Sequence, residues 1–171
     1  MRNFIIVLIV GCGTLSEEAP KAKEPFRNLT PVITAQSKMI EAYVTDFMLD
    51  CVRFNVFNEC SANMQVTDYV GFASEAYIVT GNPEKNKNRV GLCERSIEAI
   101  SGIDHRRITI KEGDYDSVVL KALVYHELGH CLLGLSHREN GIMIPQMMTR
   151  KEYVNNWDKL VVQLFNKDNE E

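Results

Sequence analysis

Apolar positions recur at two different spacings along this chain. From Thr34 to about Phe54, the residues Met39, Ile40, Tyr43, Val44, Phe47, Met48 and Cys51 return at steps of three and four. That spacing predicts a helix capped by Thr34 with one face in a core. From roughly 64 to 112 the texture shifts to short runs rich in β-branched and aromatic residues, notably 66–72, 77–80 and 107–111, split by Gly81-Asn82-Pro83 and Ser101-Gly102. Three or four strands are predicted there, with 82–88 as a polar loop. Helical spacing resumes at Ser117, where Val118, Val119, Ala122, Leu123 and Tyr125 form an apolar side, and is expected to stop near Gly134. A last helix fits Thr149 to Asn166, carrying Val154, Trp157, Leu160, Val161 and Leu164. This order predicts an α+β domain, a small twisted mixed sheet packed on an N-terminal helix, a central helix and a C-terminal helix.

Ahead of the domain, Phe4 to Val10 is an apolar run behind a single cation, Arg2. It falls well short of the roughly 20 residues a membrane-crossing helix needs, and its small-residue end reads as a secretory signal. The run closes on Ile9-Val10-Gly11-Cys12, which resembles a bacterial lipobox. That resemblance implies cleavage before Cys12 and a lipid on its sulfur. The predicted organisation is therefore a signal peptide at 1–11, a lipid-anchored flexible tether at 12–31 and a domain at 32–171. The expected location is the outer membrane or periplasmic face of a bacterial envelope, with membrane contact through the lipid only.

Composition narrows the partners. Lys+Arg is 19 against Asp+Glu 23, so the formal net charge of -4 argues against nucleic acid. With Cys12 taken by lipid, Cys51, Cys60, Cys93 and Cys131 remain in an oxidising compartment, where disulfides are expected. Four cysteines allow three connectivities. The short separation of Cys51 and Cys60 favours a local loop and leaves Cys93 to Cys131, while buried free thiols are the alternative.

The central helix carries His126-Glu127-Leu128-Gly129-His130, the HExxH pattern. Four residues rotate a helix by about 400° and advance it by about 6 Å, so both imidazoles can reach one metal. Glu127 then flanks the metal as a general base toward a bound water. The chain's own composition gives roughly 0.008 chance matches to this pattern. A catalytic zinc takes three protein ligands and keeps a fourth position open, and His137 is the candidate third ligand. On a continuing helix it would lie about 10.5 Å beyond His130, so the chain has to turn, and Gly134 is placed to let it. A tight turn, Asn140 to Pro145, then presents Met143. The fourth histidine, His105, is expected to be exposed in a basic loop.

The segment HELGHCLLGLSH followed by IMIP resembles the metzincin zinc endopeptidases. More specifically it is similar to bacterial lipoprotein-type metallopeptidases with an HELGHC motif after a glycine-leucine-cysteine segment such as Gly91-Leu92-Cys93. The likeness covers roughly residues 90–148. It implies one catalytic Zn2+ on His126, His130 and His137, Glu127 as the base, Met143 beneath the metal, and a peptide or protein substrate. Six residues separate His130 from His137 where the clan has five, and Pro145 stands where one branch places a tyrosine. Glu152 is the rival third ligand by analogy with glutamate-ligand zinc peptidases, and Tyr153 is read as a core or surface residue of the last helix, with entry into the cleft as the alternative. The competing function is a non-catalytic surface or periplasmic lipoprotein that keeps zinc for stability.

Overall fold

The computed structural model describes residues 26, 28–79, 88–98 and 102–166. The signal segment at 1–11, Cys12, most of the tether and most of the polar loop at 82–88 lie outside the described residues. Among the described residues, eight elements follow one another: α1 (Ser37–Arg53), α2 (Phe57–Gln65), β1 (Thr67–Ala73), α3 (Glu75–Ile78), β2 (Gly91–Ile97), β3 (Asp104–Lys111), α4 (Ser117–Leu133) and α5 (Arg150–Phe165). The class is α+β, with a three-stranded mixed sheet in the order β1-β3-β2. Central β3 pairs parallel with β1 and antiparallel with β2. No described helix is long and apolar enough to cross a membrane.

Helix α4 organises the core because it is apolar on nearly every side, and a helix without a polar face has to be enclosed. It packs against α1, α2, α5, β2 and β3, and Leu120, Leu128 and Leu132 lose all contact with solvent. Each such leucine contributes about 1.5–3 kcal/mol through burial. On the side facing α1 and α5 an aromatic seam closes the core. Phe47 meets Tyr125 edge-on at 5.1 Å, and Phe165 stacks on Phe54 at 4.9 Å.

Both disulfides favoured by sequence spacing form. Cys51–Cys60 joins α1 to α2, and Cys93–Cys131 joins β2 to α4. By loop-closure entropy they stabilise the fold by about 3 and about 4 kcal/mol.

Several local expectations change. Thr34 does not cap α1; its hydroxyl accepts from Gln36 N–H at 3.1 Å in a turn, and the helix starts at Ser37. Residues 77–80 were expected as a strand, but Ser74 caps a short helix there, its hydroxyl accepting from the Tyr77 amide at 3.4 Å. Local capping outweighs the β-branched composition of that segment. Helix α2 was not foreseen, since only Cys60 on it is buried and no apolar stripe announces it. Strand β2 was also missed. Its Glu94-Arg95 interrupts the apolar alternation, and its pairing comes from the hairpin with β3, whose turn is closed by Glu98 N–H on Ile103 O at 2.9 Å. Strand β3 begins at Asp104, three residues upstream of the expected 107, so His105 lies in a strand and bonds Asp68 at 3.1 Å. The expected domain start at 32 falls within packed chain, because Leu29 already contacts the Ala73, Tyr77 and Ile78 cluster and Phe26 lies under Arg107 at 4.2 Å.

Candidate metal centre

The centre is built at the end of α4. Asp116 caps the helix start with its carboxylate on Val118 N–H at 3.0 Å, and Gly134 ends it in the left-handed region with φ 68°. A side chain at that φ would be strained, so glycine here sets the exit direction. Leu135 N–H then returns to the Gly129 carbonyl at 3.1 Å, and Leu135's own carbonyl accepts from His130 Nδ1 at 2.6 Å. The turn that ends the helix thus also orients a histidine.

A second turn orients the other. The Ile142 carbonyl accepts from His126 Nδ1 at 2.7 Å. The neighbouring Met143 is buried against Gly129, where a Cβ would stand 2.7 Å from its Sδ. Only a glycine at 129 lets the thioether lie against α4 beside His130.

With both Nδ1 atoms donating to carbonyls, the two Nε2 atoms carry lone pairs. His126 Nε2 lies 3.1 Å from His130 Nε2 and 3.3 Å from His137 Nε2. One ligand atom from each of the three falls within 4.8 Å of the others. Lone pairs turned toward each other at this range repel, and a cation between them removes the conflict. Tetrahedral nitrogens at zinc's reach of about 2.0–2.1 Å stand about 3.3–3.4 Å apart, close to these spacings. The residues present therefore fit a divalent ion.

Burial, reinforced by the neighbouring imidazoles and opposed by the bond to Ile142, lowers the His126 pKa to about 4. Burial likewise lowers that of His130. The His126 lone pair thus stays available in weakly acidic solution.

Glu127 sits beside the three histidines with 5% of its surface exposed. Burial pushes its pKa up to about 8, against the opposing influence of Arg89 and of the Cys93 N–H that donates to it. The cleft over these groups has a volume of about 510 Å³. Residues 88–93 line it, as do Ile142, Ile144, Pro145 and Met147 after the second turn, together with Tyr153.

Glu152, the rival ligand, does not join the cluster. It closes a capping box at the start of α5, its carboxylate accepting from Thr149 N–H at 2.8 Å. Tyr153 lines the cleft but is 3% exposed, and its hydroxyl accepts from Met148 N–H at 3.2 Å. Sequence reasoning missed Arg89 altogether, and reached Gly91 only through a family likeness, because nothing in the spacing marked β2 as a wall of the site.

Comparisons with protein-family models, with curated proteins and with solved structures return no match.

Proposed function

We propose that this chain is a zinc-dependent peptidase of metzincin-like type, exported and held at a bacterial envelope by a lipid on Cys12. One observation carries the activity. Three imidazoles converge within 4.8 Å on one side of an open cleft that also contains a buried carboxyl group, Glu127. His126, His130 and His137 would hold the zinc, which supplies a Lewis acid for the scissile carbonyl and a water made acidic to a pKa of about 7. Glu127 takes the proton from the attacking water and later delivers it to the leaving amine.

The substrate lies extended along β2, which stands at the edge of the described sheet and lines the cleft. A zinc kept only for stability calls for four protein ligands, and the described residues bring together three. Two disulfides favour an oxidising compartment, in keeping with export.

The test is Glu127→Ala assayed on a mixed peptide library. Cleavage should fall by about 10²–10⁴ with zinc content unchanged, since the side chain acts as a base. Parent and variant cleaving at equal rates would remove the peptidase reading.

A further inference from the structure

Strand β2 faces the cleft as a sheet edge, and its hydrogen bonds alternate. Val90 O accepts from Lys111 N–H at 2.8 Å and Glu98 N–H donates to Ile103 O at 2.9 Å. In the antiparallel register between them, residues 92, 94 and 96 also bond to β3, while Gly91, Cys93 and Arg95 turn their backbone groups to the free edge. The Cys93 N–H is not left to solvent, because it donates to the Glu127 carboxyl group. The same carboxyl group is pressed against Gly91. A Cβ at that position would stand 2.3 Å from Oε1 and 2.7 Å from both Cδ and Cγ of Glu127.

The register of these contacts has a physical origin. Gly91 and Cys93 are two residues apart on a strand, about 6.8 Å, and Glu127 and Cys131 are four apart on a helix, about 6 Å. The two steps nearly match, so the Cys93–Cys131 disulfide, tying one end of the match, sets Gly91 opposite Glu127 at the other. We propose that Gly91 is a positioning residue for Glu127. Its missing side chain and the Cys93 N–H together form a backbone seat that fixes the carboxyl group in the cleft, in a register held by the Cys93–Cys131 crosslink. This rests on the peptidase reading for its catalytic meaning, though the seat itself is a property of the folded chain.

Gly91→Ala tests it in the full chain. The clashing atoms all belong to the Glu127 side chain and none to backbone, so the variant should fold by displacing that side chain, load zinc and shift its thermal midpoint by only a few degrees. Its kcat should fall by about 10² with KM nearly unchanged, as expected when a general base is displaced. In the double variant Gly91→Ala/Glu127→Ala, kcat should match that of Glu127→Ala alone.

Amide hydrogen exchange at Cys93 gives a second readout that needs no catalysis. Exchange should accelerate at least tenfold in both Glu127→Ala and Gly91→Ala. Glu127→Ala supplies this result even if Gly91→Ala fails to fold. Unchanged Cys93 exchange in Glu127→Ala, or losses in kcat that add in the double variant, would overturn the seat. A parent that binds zinc and cleaves no peptide, but shows the exchange pattern, would remove the peptidase reading and leave the seat standing.

Discussion

Helix α4 treats adjacent residues in opposite ways. Tyr125 points toward α1, where its hydroxyl donates to Asp50 at 2.8 Å; one turn earlier Lys121 reaches Asp46 at 2.6 Å and lies 5.1 Å over the Trp157 ring. Each polar tip on that side meets a protein partner. His126, the next residue, turns the other way. Its Nδ1 is spent on a carbonyl, but its Nε2 faces two more imidazole nitrogens. Buried polar groups are normally paired, since an unmet one costs about 1–3 kcal/mol. Polarity left for a ligand on one face of a helix, and fully matched on the opposite face, separates a binding site from packing.

The contrast breaks most sharply at the histidines. His137→Ala should weaken zinc binding by orders of magnitude in chelator competition, while Glu152→Ala should leave it unchanged because that carboxylate serves the α5 cap. The two disulfides divide in the same way. Replacing both Cys93 and Cys131 by Ala should cost about 4 kcal/mol in urea unfolding and also disturb the site, since the crosslink ties β2 to α4. Replacing Cys51 and Cys60 should cost about 3 kcal/mol and leave zinc affinity as it was.

Smaller effects sharpen the packed side. Tyr125→Phe should destabilise by about 1–2 kcal/mol through the lost bond to Asp50, with zinc affinity unaltered. The smallest concerns acid. Burial acts to raise the Asp104 pKa, but hydrogen bonds from Arg95 and Arg106 prevail and hold it below the ordinary value of 3.8. A folded pKa below the unfolded one stabilises the protein above that ordinary value, and the benefit disappears as pH falls through the folded pKa. Asp104→Asn should therefore flatten the acid limb of a stability-versus-pH curve and leave the neutral region lower by a constant amount.

The contrast also explains what could be read in advance. Helix α4 was legible because the i, i+4 spacing of His126 and His130 itself calls for a helix, and Gly134 marks the exit that returns His137 to His126. The C-terminal helix was legible because Val154, Trp157, Leu160, Val161 and Leu164 recur at helical spacing, whereas the Thr149–Glu152 capping box that removes Glu152 from contention as a ligand came only with the structure. The other wall of the site was hidden. Strand β2 buries only Gly91 and Ser96, so neither face shows an apolar stripe, and its place depends on pairing with β3 and on a crosslink 38 residues away in sequence. The role of Gly91 lies in an absent side chain, which no pattern of side chains can display.

The most direct test of an unmatched, ligand-ready face is the coordination shell of the bound metal. Zinc K-edge absorption fine structure on the loaded protein should show three imidazole nitrogens at about 2.0–2.1 Å and an oxygen completing the shell, with no sulfur. The same shell should persist in Glu127→Ala. A fourth protein ligand, a sulfur scatterer, or protein that emerges from dialysis against zinc without metal would contradict the account.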